Sequence, residues 1–196
     1  MLEEALSRIK EETNELKKML LFMAWLNKKL KETGIKTLPI LVGGSAVELY
    51  TFGHYVSGDI DLVAQNRDEI KNILLSTGLF REVGRIFVSE ELGIFVDIPD
   101  NVLAGSYEKI RTIKIPELEA EIKVIGVEDL IIDRLNACIF WRSQSDCEVA
   151  RYLFEKYKNE LELEYLIERA KKEKLPLEKI DFLKRLDNEK GDYLEP

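Results

Sequence analysis

Asp59-Ile60-Asp61 is where this chain could do chemistry. On a β-strand, side chains two residues apart share a face and sit about 7 Å apart along it. Ile60, Leu62 and Val63 around them are apolar and point to a core. Two carboxylates held beside a core are costly unless a cation neutralises them. Mg2+ suits this role, because it takes a few carboxylate oxygens and completes its shell with water and phosphate oxygens. Two such ions about 4 Å apart can clamp the attacking and leaving oxygens of a phosphoryl transfer. Upstream, Gly43-Gly44-Ser45 lies between an apolar run and a helical stretch. Glycines there let the backbone approach a phosphate, N–H groups at a helix start attract the anion, and the Ser45 hydroxyl adds a donor. Alone, an Asp-x-Asp can be a solvated turn and a Gly-Gly pair a tight bend. The succession of strand, Gly-Gly-Ser, helix and same-face Asp pair is a more specific combination.

These residues need a scaffold, and the apolar spacing predicts one. Leu2, Leu6, Ile9, Leu16, Leu20, Met23 and Leu30 draw one stripe along a helix over residues 1–34, ended by Gly34. That stripe either packs on its own domain or pairs two copies as a homodimer. Leu38–Val42 and Ile60–Val63 are strand candidates flanking a helix at Ser45–Phe52. A helix at Arg67–Ser76 precedes strand candidates at Phe80–Val83, Arg85–Ser89 and Gly93–Ile98, with a further hairpin at Ile113–Ile115 and Glu121–Val124. After Gly126 the spacing is helical, at Val127–Phe140, Ser145–Tyr157, Glu162–Lys172 and Leu177–Leu186, before a polar tail over 187–196. The fold class expected is α/β (α+β): a small mixed sheet of about five strands over residues 35–126, a long N-terminal helix, and a helical C-terminal section over 127–190 packed on the core.

Composition removes several alternatives. At 196 residues, with 45% hydrophobic and 34% charged residues, the chain can bury a core of one domain with helical appendages. A net charge of -8 argues against bulk gripping of nucleic-acid backbones. His54 is the one histidine, which excludes a three-His zinc site and makes it the sole candidate for a Ser-His-Asp triad. Cys138 and Cys147 form no CxxC pair and read as reduced thiols. No run approaches the roughly 18 apolar residues of a membrane span, and the acidic start MLEEALSRIKEE has no apolar signal region, so the expected location is cytoplasmic. Phe140 and Trp141 are expected to pack between helices, and Lys171-Lys172-Glu173-Lys174 to be a solvated helix end.

Gly43-Gly44-Ser45 followed by Asp59-Ile60-Asp61 resembles the DNA-polymerase-beta-like nucleotidyltransferase superfamily. Its signature is Gly-Gly or Gly-Ser, then Asp-x-Asp or Asp-x-Glu on a strand about a dozen residues on. The resemblance implies a third carboxylate on a neighbouring strand. Asp97 in Gly93-Ile94-Phe95-Val96-Asp97-Ile98 is the best match, and Asp100 the runner-up. Ser57-Gly58-Asp59-Ile60-Asp61 and Glu128-Asp129-Leu130 narrow the likeness to a branch holding abortive-infection toxin and uncharacterised prokaryotic nucleotidyltransferases. Against that branch, Arg134 stands where a lysine is usual, Asp146 fits the aspartate of the next helix, and Tyr55 stands where an arginine is usual. The likeness covers about 36–157. It implies Mg2+, or Mn2+ in its place, on Asp59, Asp61 and Asp97, an NTP held by Gly43, Gly44, Ser45, Ser57, Arg134 and Asp146, and no membrane partner. Arg142 is a second candidate for phosphate. The implied reaction is NMP transfer to an acceptor that is RNA, protein or a small molecule, with release of pyrophosphate. The alternatives are a non-catalytic nucleotide-binding or regulatory module, and a toxin of a toxin–antitoxin pair using the same chemistry.

Overall fold

The computed structural model describes residues 2–184. The polar tail, and the end of the helix expected from Leu177, lie outside them. The chain divides at Gly126/Val127 into two compact units.

The first unit opens with two helices in place of the single one expected, α1 (Leu2–Glu11) and α2 (Glu15–Glu32). The break falls where Asn14 takes an extended backbone and its side chain accepts the Lys17 N–H at 2.8 Å, starting a new helix. The apolar stripe runs through the break in phase, so its spacing hides it. Its residues Ile9, Met23 and Leu30 are buried, and α2 packs on the sheet with Phe22, Trp25 and Leu26 in the core. The side chain of the buried Asn27 donates to the Glu121 carbonyl at 2.7 Å and fixes α2 against the sheet.

The sheet has seven strands rather than about five: β1 (Ile40–Leu41), β2 (Ile60–Val63), β3 (Arg81–Val83), β4 (Ile86–Ser89), β5 (Ile94–Asp100), β6 (Arg111–Ile115) and β7 (Ala120–Val124). Their order is β3-β4-β5-β2-β1-β7-β6. The count rises because the late β6–β7 hairpin joins the same sheet, β7 lying parallel to the two-residue β1. β2 runs antiparallel to β1 and parallel to β5. A parallel neighbour requires a crossover, here α4 (Arg67–Ser76) followed by β3 and β4. Along β5, Ile94, Val96 and Ile98 are buried on one face, which leaves Phe95 and Asp97 on the other. The register with β2 shifts between Asp61 and Val63, where Pro99, which has no N–H for a ladder, is accommodated. α3 (Gly43–Tyr50) is tied down by the Tyr50 hydroxyl, which donates to the Ile125 carbonyl at 2.7 Å.

The described residues of the second unit form α5 (Val127–Phe140), α6 (Gln144–Tyr157) and α7 (Leu163–Lys172), followed by a 3-10 turn at Leu177–Lys179. α5 and α6 form a hairpin, and this corrects the reading of the cysteines as free thiols. Cys138 lies near the end of α5 and Cys147 near the start of α6, so the hairpin brings their Cα atoms to 4.8 Å and they form a disulfide. Trp141 and Phe140 also depart from expectation. They stand at the hairpin tip, beyond the packed part of the two helices, and Trp141 is 85% exposed. Arg142, in the left-handed region at φ 56°, makes the turn itself. Among the described residues no helix is long and apolar enough to cross a membrane.

Candidate active site

Three carboxylates converge in the first unit. Asp61 and Asp97 are direct register partners on the parallel strands β2 and β5, and Asp59 lies one residue before β2 begins. One oxygen from each of Asp59, Asp61 and Asp97 lies within 4.8 Å of the others. Asp97 is buried and the other two are half-buried. Asp100, the alternative third acid, instead spends its Oδ1 on the backbone N–H groups of Asn101 and Val102.

Crowding of like charge marks this cluster. Burial, reinforced by the charge of Asp59 and weakly by that of Asp97, pushes the Asp61 carboxyl up to about 6, against N–H bonds that favour its ionised form. Asp97 Oδ2 takes a 2.7 Å ion pair from Arg85, whereas Asp97 Oδ1 is buried with no hydrogen-bond partner among the described residues. An orphaned buried carboxylate oxygen beside two further carboxylates is a donor set that fits a hard divalent cation.

The Gly-Gly-Ser turn serves this cluster in a way its sequence did not reveal. Gly43 sits at φ +56°, and a Cβ there would come within 2.5 Å of Asp61 Oδ2. The Gly44 N–H donates to the same oxygen at 2.8 Å. The buried Ser45 hydroxyl donates to the Val42 carbonyl at 2.9 Å and accepts the Asp61 N–H at 3.0 Å. The Gly44 N–H and the Ser45 hydroxyl, both expected to face a phosphate, thus fasten α3 to the aspartate strand instead. Val42, at the N-cap of α3, offers no side-chain acceptor, and the Asp61 carboxylate takes a first-turn N–H in its place. Ser57 stands beside the turn, its hydroxyl donating to the Asp59 carbonyl at 2.9 Å.

Arg134 and Asp146 meet each other in the second unit at 2.9 Å, and Arg134 also pairs with Asp133. His54 is exposed, in the loop between α3 and β2. Sequence reasoning missed two residues. Arg85 binds Asp97 from the β3–β4 turn. Glu48, buried on α3, accepts the Ser57 N–H at 2.8 Å, and burial raises its pKa more than this bond lowers it. The signal available for Glu48 was a carboxylate on the buried side of a short helix beside Leu49 and Tyr50. For Arg85 there was none, because its partner is set by strand pairing.

No family model and no curated sequence matches this chain. Among solved structures it is similar to an antigenic nucleotidyltransferase-like protein from Paracoccidioides brasiliensis, at TM-score 0.55 and 16% identity, covering 88% of this chain and 93% of that one. It is also similar to the antibiotic-resistance factor ANT(2'')-Ia, at TM-score 0.49 and 12% identity, covering 92% of this chain and 96% of that one. The first likeness shows the fold, which this chain shares with that nucleotidyltransferase-like protein.

Proposed function

We propose that this chain is a divalent-metal-dependent nucleotidyltransferase, moving a nucleoside monophosphate from an NTP to a hydroxyl-bearing acceptor with release of pyrophosphate. The observation that carries this reading is the triad Asp59, Asp61 and Asp97, with its unpartnered buried oxygen, on a nucleotidyltransferase fold. These three residues would hold Mg2+ or Mn2+, and a bound divalent cation would supply charge neutralisation and Lewis acidity at the triphosphate.

The chain's own groups do the rest by positioning. Gly44 and Ser45 orient Asp61 through the N–H and hydroxyl bonds described above. The positive dipole end of α3, which already holds the Asp61 carboxylate through the Gly44 N–H, would add to the attraction for phosphate beside it. The acceptor oxygen bonds to the α-phosphorus as the bond from that phosphorus to the pyrophosphate oxygen breaks. The acceptor proton would pass to the Asp97 carboxylate, which also helps to hold the cation. No covalent enzyme intermediate is required, since positioning and electrostatics suffice for this displacement.

The test is to incubate the protein with Mg2+, each NTP labelled at the α-phosphate, and RNA, protein or small-molecule fractions. Label should pass to one fraction and should be lost in the Asp59→Asn/Asp61→Asn protein. Transfer that survives the double substitution would sink the mechanism. Calorimetric NTP binding with no transfer to any fraction would favour a nucleotide-binding module instead.

A further inference from the structure

Asp59 is the least anchored member of the triad. Asp61 and Asp97 are fixed by the β2–β5 ladder, and each has a further partner, the Gly44 N–H and Arg85 respectively. Asp59 precedes the ladder, at the end of the loop that leaves α3. That loop cannot be held by burial, because Phe52 and Val56 within it are exposed. Besides the backbone bonds of the Phe52 and Gly53 N–H groups to α3, two side chains hold its backbone. The Tyr55 N–H donates to the buried Thr51 hydroxyl at 3.1 Å, and the Ser57 N–H donates to Glu48 Oε2 at 2.8 Å. Ser57 in turn reaches Asp59, with its hydroxyl 2.9 Å from the Asp59 carbonyl and 3.5 Å from Asp59 Oδ1. On its other side the Ser57 hydroxyl is wedged against Gly44, where a Cβ would come within 2.8 Å of it.

Glu48 is only 3% exposed, and a carboxylate so buried is costly without a purpose. Among the described residues its hydrogen-bond partner is the Ser57 N–H. A carboxylate is a stronger acceptor for such an N–H than a neutral group is. Glu48, Ser57 and Asp59 also line one small cleft of about 40 Å³ together with Glu15 and Lys18 of α2. Shortening Glu48 would open that cleft to water beside Asp59.

We propose that Glu48 is a positioning residue for Asp59: through the Ser57 N–H it sets Ser57, and through Ser57 it sets the carboxylate that completes the metal site. This rests on the metal-site reading of the triad. It assigns to a buried acid outside the triad the task that strand pairing performs for the other two.

The experiment is Mn2+ titration of the full chain, followed by electron paramagnetic resonance, on wild type, Glu48→Ala and Glu48→Gln, with thermal unfolding of each alongside. Glu48→Ala should weaken Mn2+ binding by about 10- to 100-fold, the usual effect of removing a group that orients a ligand. Glu48→Gln, whose side-chain carbonyl can still accept the Ser57 N–H, should stay within about 3-fold of wild type. Wild-type affinity in Glu48→Ala would overturn the proposal. Equal weakening in both variants would overturn it too, by assigning the effect to charge. Should Glu48→Ala not fold, amide exchange in Glu48→Gln decides. A protected Ser57 amide with retained Mn2+ affinity supports positioning, and an unprotected one with retained affinity overturns it. A wild-type protein that binds no Mn2+ would fail at the earlier step, the metal reading itself, and would take this proposal with it.

Discussion

Asp129 and Asp97 are both buried carboxylates, and their surroundings treat them in opposite ways. In the second unit, Asp129 on α5 receives the Tyr165 hydroxyl at 2.7 and 2.9 Å on its two oxygens and the Arg169 Nε at 3.1 Å. Arg169 is itself held by Glu173. Nearby, Glu128 accepts the Glu162 N–H at the start of α7. Every one of these bonds joins α5 to α7 or strengthens α7. In the first unit, Asp97 keeps one oxygen without a partner while Asp61 and Asp59 add like charge beside it. A neutralised buried acid works as a staple. A buried acid left short of partners stores unfavourable electrostatics that a ligand can relieve. The contrast separates an acid that holds two helices together from one that keeps a coordination position open for a ligand.

The contrast can be broken at its strong end first. Asp129→Ala leaves Arg169 and Tyr165 without their partner and should cost about 3–5 kcal/mol, read by denaturant unfolding of the second unit. A cost near zero would mean that these bonds contribute no stability.

The triad should behave in the reverse sense. Asp61 is held near 6, above its ordinary 3.8, so the folded protein binds its proton more tightly than the unfolded chain does. The stability this contributes is full below about pH 4 and is lost as pH rises through about 6. The melting temperature of the metal-free protein should therefore fall across that window, and Asp61→Asn should flatten the fall. A profile that rises with pH through the same window, and flattens in Asp61→Asn, would contradict the charge crowding described here.

The smallest effect is expected where both partners are exposed. Arg81 and Glu90 pair at 2.6 Å with side chains 62% and 74% exposed. Arg81→Ala should change unfolding free energy by less than about 0.5 kcal/mol. A larger change would show that burial is not what separates the strong pairs from the weak ones.

What could be read from the sequence was what local spacing encodes. Gly43-Gly44-Ser45 and Asp59-Ile60-Asp61 are contiguous motifs, and the resemblance they carry implied a third acid, for which Asp97 at the end of an apolar strand pattern was the best match. The α5 span is visible in its periodicity because both of its ends coincide with breaks in the apolar pattern. What was hidden depended on distant pairing. The direction in which the Ser45 hydroxyl points is decided by β2 lying beside α3. Arg85 reaches Asp97 only because β4 runs antiparallel to β5 and sets Ile86 opposite Asp97. The cysteine pair depends on how few residues the α5–α6 turn uses, and a one-residue change in helix end moves a side chain about 100° around the axis. The division of the N-terminal helix left a trace in Asn14, a favoured capping residue, but the unbroken stripe outweighed it.

The parallel pairing of Asp61 with Asp97 also bears on the order of folding. β4 and β5 are neighbours in the chain and can zip as a hairpin, carrying Asp97 and Arg85 together early. β2 must then find β5 across the whole of α4, β3 and β4, a non-local closure of the slow kind. A slip of one residue by β2 at that step would turn Asp61 to the face of the sheet opposite Asp97. The register shift beside Pro99 occurs only two residues beyond Asp61, so a misaligned chain would meet a proline where the ladder needs an N–H. The extra residue that β5 carries beside Pro99 thereby doubles as a register mark, favouring the alignment in which the three acids converge.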